Sequence, residues 1–287
     1  MKLTHSLQWL SLFILMGCNQ PHSESEWLQR FHYQSGEVFP VEIGDFGYPY
    51  VSVKINSAAV NLVWDTGNMS ELTLSRELAD RWQLPVTGES KSYDSAGNVI
   101  GTFRTFRIDS LFVFHKKWQN VRAREFTNPK LNGLFGPRFV LGKRFTLDYR
   151  NKLLAVSSSP IPPPNSMENA LLMVRSPEFA GLILVYGFVN RKKVLMEIDT
   201  GKSRTVVHPA LAETLQLQSA ANGFQIEEIR LGDFRFTVAS AKVKSFQGIS
   251  KGLPQPIQLG LGSDILSKFV LTVDYPQNIV LLNRLCN

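Results

Sequence analysis

One acid-bearing tripeptide occurs twice, each time at the same place in one half of the chain. Asp65-Thr66-Gly67 ends the apolar run Val60-Asn61-Leu62-Val63-Trp64. Asp199-Thr200-Gly201 ends Val194-Leu195-Met196-Glu197-Ile198. A carboxylate followed by Thr-Gly at a strand end reads as a turn, with Gly supplying backbone freedom. The segments downstream of the two tripeptides also repeat in order. After the first tripeptide come a strand at 72–74 and a short helix at 76–82 capped by Ser75, ending in Trp82-Gln83-Leu84. After the second come a strand at 205–207 and a helix at 210–215 opened by Pro209, ending in Leu215-Gln216-Leu217. Phe145-Thr146-Leu147-Asp148-Tyr149 returns as Leu271-Thr272-Val273-Asp274-Tyr275. Self-similarity in this order marks an internal duplication of about 120 residues per copy. Two copies make a pseudo-twofold pair, not a solenoid.

The duplicated unit is built of strands. Tyr50-Val51-Ser52-Val53-Lys54-Ile55 alternates with period two, as do residues 102–113 and 183–189. The fold class expected is therefore all-β, with short helices, including one at 137–143 and one capped by Ser263. With 287 residues, 44% of them apolar, the chain can bury one large core or two modest ones. The Pro/Ser run at 157–165 cannot build sheet or helix and sets the boundary. It divides an N-terminal lobe (37–158) from a C-terminal lobe (173–287) through a linker (159–172). Turn-rich Tyr93-Asp94-Ser95-Ala96-Gly97-Asn98-Val99 reads as a hairpin tip, and a second tip lies near Asn222-Gly223. The formal charge of +7 is scattered over expected turns, without the aromatic-interleaved stripe that nucleic acid requires, so no nucleic-acid partner is expected.

The N-terminus carries a targeting signature. Lys2 supplies a positive start, residues 7–16 are mostly apolar but too short to span a bilayer comfortably, and Leu15-Met16-Gly17-Cys18 closes the segment. This resembles the bacterial lipoprotein lipobox. The resemblance implies a signal peptide at 1–17, cleavage before Cys18 and lipid attachment to its thiol. By the enterobacterial sorting rule, Asn19 after the Cys favours the outer membrane, facing the periplasm. With Cys18 lipidated, only Cys286 remains, so no intrachain disulfide is expected. Residues 18–36 are polar, show no apolar period, and read as a tether.

A pseudo-twofold axis brings equivalent points of two lobes together where they touch. If the Asp turns lie there, two carboxylates meet. Like charges about 3 Å apart cannot both ionise, so the pair shares a proton and can activate a water held between them. Such a site needs no metal and no cofactor. On Val63-Trp64-Asp65-Thr66-Gly67, Ile198-Asp199-Thr200-Gly201, Leu134-Phe135-Gly136 and Gly260-Leu261-Gly262, the chain resembles aspartic proteases of the pepsin and retropepsin clan. Each lobe is close to a retropepsin subunit in size. The resemblance implies a bilobal fold and a monomer whose two lobes supply Asp65 and Asp199 as the catalytic pair. It implies support from Thr66, Gly67, Thr200 and Gly201, the Thr hydroxyls interlocking across the axis. It also implies a flap at Tyr93, Asp94, Ser95, Ala96 and Gly97. The substrate would be an extended segment of a peptide or protein, hydrolysed by the water between the carboxylates. The alternative is a catalytically silent relative that binds peptides or proteins.

The chain departs from that pattern at Asn68 and Lys202, where the family usually has Ser, Ala or Thr. Lys202 is expected to turn outward to solvent. A cation beside one member of the pair would instead favour its ionised form and disturb proton sharing. Two further motifs are set aside. Gly248-Ile249-Ser250-Lys251-Gly252 has the spacing of a hydrolase nucleophile elbow, but Leu253-Pro254-Gln255-Pro256 forbids the helix that must come next. Asp148 and Asp274 are duplicated as well and read as turn-forming acids.

Overall fold

Alternating apolar and polar residues, punctuated by Gly, Asn and Pro, give a molecule made mostly of strands. The computed structural model describes residues 23–70, 72–126, 128–161 and 170–284. Cys18, Cys286, the signal peptide and part of the linker lie outside these. The first half contains β1 (Val38–Pro40), β2 (Glu42–Ile43), β3 (Pro49–Ile55), β4 (Ala58–Trp64), β5 (Leu72–Ser75), β6 (Val86–Tyr93), β7 (Val99–Val113), β8 (Lys116–Phe126), β9 (Gly133–Phe135), β10 (Arg144–Asp148) and β11 (Leu153–Ser157). The second contains β12 (Ala170–Leu172), β13 (Leu184–Val189), β14 (Lys192–Ile198), β15 (Val206–Val207), β16 (Ser219–Ala220), β17 (Gly223–Leu231), β18 (Phe234–Val243), β19 (Ile257–Leu261), β20 (Phe269–Asp274) and β21 (Ile279–Arg284). The helices are short: α1 (Glu24–Phe31), α2 (Arg76–Arg81), α3 (Pro209–Thr214) and α4 (Ser263–Leu266).

The duplication read from sequence is present in the strand order. The eight-stranded sheet runs β2-β3-β4-β9-β5-β8-β7-β6, and the seven-stranded sheet β13-β14-β19-β15-β18-β17-β16. Apart from β2 these are the same order, and the extra β3–β7 pairing recurs as β13–β17. In each, the strand that ends at an Asp runs parallel to a short partner: β4 to β9, β14 to β19. The third sheet, β1-β11-β10-β20-β21-β12, takes strands from both halves and reads the same from either end. At its centre Thr146 faces Thr272, their hydroxyls 2.7 Å apart. One buried apolar cluster runs through both halves, from Trp64 and Phe135 to Ile198, Leu261 and Leu271.

Local chemistry explains the helix boundaries. The Ser75 hydroxyl accepts from Leu78 N–H and starts α2, while Pro209 occupies the first turn of α3 behind His208. The stretch at 137–143 holds only one 3₁₀ turn, Pro137–Val140. Gly262, not Ser263, caps α4; Ser263 is its first residue, and its hydroxyl donates to Phe46 O instead.

The tether reading fails from residue 23 onward. Ser23 caps α1 through Glu26 N–H, and Trp27 and Phe31 are buried one turn apart. Trp27 Nε1 donates to Asp148 at 2.8 Å, Tyr33 and Thr146 share a hydroxyl contact, and the Arg144 guanidinium lies over the Tyr33 ring. The helix therefore seals one face of the shared sheet, where it covers Ala155 and Val270. Ser-x-x-Glu at 23–26 is a capping-box pattern, and the aromatic i, i+4 pair behind it supplies the buried stripe. Among the described residues, no helix is long and apolar enough to cross a membrane.

Candidate active site

Both Asp turns are built alike. Asp65 N–H donates to Phe135 O on β9, and Asp199 N–H to Leu261 O on β19, which fixes each acid at a strand end. The carbonyls of the two acids then accept from Asn68 N–H and Lys202 N–H, closing tight turns at 65–68 and 199–202. Inside each turn the third residue reaches back: Gly67 N–H to Asp65 Oδ1 (2.9 Å) and Gly201 N–H to Asp199 Oδ1 (2.8 Å). The two glycines are required for a further reason. A Cβ on Gly67 would collide with the Asp199 carboxylate, and one on Gly201 with that of Asp65.

Between the acids, Thr66 and Thr200 interlock. Thr66 N–H donates to Thr200 Oγ1 (3.1 Å) and Thr200 N–H to Thr66 Oγ1 (3.0 Å). Each hydroxyl then donates into the opposite half: Thr66 to Ile198 O (3.0 Å), Thr200 to Trp64 O (2.6 Å). Both threonines are fully buried, so these bonds have no competition from water. The consequence is that each carboxylate lies against the glycine of the opposite turn, which brings the Asp65 and Asp199 side chains together across the seam. All six residues expected at the site, Asp65, Thr66, Gly67, Asp199, Thr200 and Gly201, come together.

Lys202 does not turn outward. Its Nζ lies 2.7 Å from Glu197 Oε2 and also donates to Asp199 Oδ2, with the side chain only 18% exposed. Glu197 is itself buried, on the strand leading to Asp199. Room for it comes from Gly260, which stands opposite Glu197 in the β14–β19 register. A Cβ there would press on Phe246 and on Glu197 Oε2. Sequence reasoning missed Glu197 and Gly260. The available signal was one charge in an otherwise apolar run, facing a Gly where the first half has Leu134.

The charges follow from this packing. Burial, then the neighbouring Asp199 carboxylate, holds the Asp65 carboxyl well above the usual carboxylate range, against the opposing pull of Lys202 and the Gly67 N–H. Burial and Asp199 also raise Glu197, again opposed by Lys202. Burial works against the Lys202 ammonium, but Asp199 and Glu197 outweigh it and keep it above an ordinary lysine. Burial, helped by Asp199, likewise raises Tyr149. The raised Asp65 carboxyl therefore favours its protonated form, and the Lys202 ammonium stands on the opposite side of the pair.

The hairpin β6–β7 carries the expected flap residues at its tip. Asp94 shapes it, its carboxylate accepting from the Ala96 and Asn98 N–H groups, which depresses its pKa. The tip reaches the other half. Gly248 N–H donates to Ser95 O (2.9 Å), the Ser95 hydroxyl donates to Ser245 O (2.7 Å), and Gly97 Cα packs directly on Gly248. The second half has no such arm among its described residues: its β16–β17 turn pairs only Ser219–Ala220 with Phe224 and Gly223. The elbow-like motif lies in the loop that receives the tip. Ser250 donates to Phe246 O and accepts from Ile257 N–H, so its hydroxyl is structural. Asp148 and Asp274 accept backbone N–H groups of their own turns, as turn-forming acids do. Among the described residues, no cluster of His, Cys, Asp or Glu is arranged to hold a metal. No protein-family model matches this chain, and comparison with curated proteins returns no match.

Proposed function

We propose that this chain is an aspartic endopeptidase with two retropepsin-like lobes. The observation that carries the reading is the meeting of Asp65 and Asp199, each against the glycine of the opposite turn, above interlocked Thr66 and Thr200. A water between the carboxyls loses a proton to Asp199 as its oxygen bonds to the scissile carbonyl carbon. Asp65 gives its proton to the carbonyl oxygen. The proton on Asp199 then passes to the amide nitrogen, the C–N bond breaks, and Asp65 recovers its proton from the collapsing diol. Lys202 and Glu197 hold the charge of the pair on the Asp199 side, so the two acids have fixed roles. The hairpin tip at Tyr93, Asp94, Ser95, Ala96 and Gly97 serves as the flap over an extended peptide or protein segment.

The test is cleavage of an unfolded protein by the full chain in detergent micelles, read by mass spectrometry. Asp65→Asn and Asp199→Asn should each abolish it; equal residual cleavage in either variant would remove the mechanism. The Lys202–Asp199 ion pair favours a second reading, a silent peptide binder of the same fold. On that reading the wild type is inert over the whole pH range, and peptide binding persists without turnover. We further propose export and lipid anchoring at Cys18, most simply in the outer membrane. Labelled palmitate should enter the wild type and not Cys18→Ala.

A further inference from the structure

Beside the site, a groove of about 410 Å³ opens between the Asp65 turn and the hairpin arm. One wall is Met69 and Ser70, the residues leaving the turn; the other is Ser90 and Lys91, on β6. The groove's described lining includes Lys91, Arg122, Arg124 and Arg138, and no acid. Arg122 and Arg138 have neighbours of their own, which leaves Arg124 and Lys91 as the cations of interest.

Arg124 sits in the middle of the sheet, with Thr73 of β5 on one side and Thr105 of β7 on the other. Its Nε is buried without a hydrogen-bond partner. The next residue makes the contrast. Glu125 points to the opposite face and pairs with both Arg76 and Arg104. Glu125 thus neutralises the cations on its face of β8, while Arg124 on the other face is half-buried and has no ion-pair partner among the described residues. Burial and repulsion from Arg122 both act against the Arg124 charge, and an incoming carboxylate relieves both. The strand β6 is also the edge of its sheet, with backbone groups open to a pairing segment.

We infer that this groove is a subsite for an acidic side chain of the bound peptide, with the Arg124 guanidinium as its main recognition group and Lys91 as a second cation. The inference rests on the peptide-cleft reading above and adds the substrate class: extended segments with Asp or Glu at one fixed distance from the scissile bond. A planar guanidinium suits a carboxylate in bidentate fashion.

The test separates this from turnover by using the full-length Asp65→Asn protein in detergent micelles. It is titrated calorimetrically with decapeptide mixtures, each fixing Glu, Gln or Lys at one position. Glu at one position should bind about tenfold tighter than Gln, with Lys weakest. Arg124→Gln should erase the preference, Arg124→Glu should invert it toward Lys, and Arg124→Lys, which keeps the charge, should retain most of it. Equal binding of Glu and Gln mixtures at every position would overturn the inference. So would a uniform Glu preference without a favoured position, a preference that survives Arg124→Gln in a protein with an unchanged melting curve, or no peptide binding at all. If the wild type cleaves nothing while the Glu preference stands, the catalytic reading falls and the subsite remains. If it cleaves Glu and Gln peptides equally, the reverse holds.

Discussion

Aligned by their shared strand order, the two halves keep the same hydrogen-bonded Asp turn but differ in three coupled positions around the acid. In the first half Val63 pairs with Leu134, and Asn68 closes the Asp turn. In the second, Glu197 pairs with Gly260, and Lys202 closes the turn. Asn68 turns its Oδ1 to Ser70 N–H and caps its own chain. Lys202 instead crosses to Glu197 and Asp199. A duplicated scaffold can thus keep its hydrogen bonds while its charges diverge. The acid pair, symmetric in a twofold scaffold, is here biased by one half-buried cation, and that cation is kept by one buried anion.

The largest effect should come from removing the cation alone. Lys202→Met leaves Glu197 and Asp199 buried without a counter-charge, and should cost about 3–5 kcal/mol at pH 7 by denaturant unfolding. The loss should shrink in acid, where Glu197, already raised, takes a proton. Converting the second half to the first, with Glu197→Val, Gly260→Leu and Lys202→Asn together, should recover all but about 1–2 kcal/mol, since an ion pair replaced whole by packed apolar groups is near neutral. If Lys202→Met unfolds no more easily than wild type, the coupling between the three positions is not energetic.

Asp65 gives the next effect. Its folded pKa lies above its unfolded one, so the stabilisation is complete below the unfolded value and is lost as pH rises through the folded value. Asp65→Asn should therefore be the more stable protein at pH 7, by about 1–2 kcal/mol, with the advantage gone near pH 3. On the proposed function, the same proton sets the alkaline limb of the cleavage profile. Because Lys202 lowers the Asp65 pKa, Lys202→Ser should carry that limb to higher pH, whereas Asn68→Ser, on the uncharged side, should leave it in place. The smallest effect belongs to the arm of the first half. Ser95→Ala removes one bond to Ser245 and should weaken docking of the tip by about 1 kcal/mol, read as faster amide exchange at Gly97 and Gly248 and a raised KM with little change in kcat.

Much of this was legible along the chain. The repeated Asp-Thr-Gly, the twin pentapeptides and the Gln-Leu helix ends each report a local backbone event, and local events are what sequence patterns encode. The strand alternation gave the class of fold for the same reason. What stayed hidden was long-range. Whether Lys202 points out or in depends on Glu197, five residues back, and on the vacancy at Gly260, far along the chain. The α1 segment looked featureless because two aromatics make a sufficient stripe only when a sheet face waits for them. Ser263 has the composition of a cap, but Phe46 from the other half claims its hydroxyl.

The Thr146–Thr272 contact places the midpoint of one continuous sheet on the seam, with 126 positions of sequence between the two hydroxyls. Each half therefore completes the other's sheet, and β10 and β20 have their full set of partners only when both are present. The strand β20 can zip onto β10 only after both Asp turns have been made, since residues 269–274 follow them in the chain. On the proposed function, a chain cut short before β20 would carry both acids and yet lack the sheet that spans the two halves.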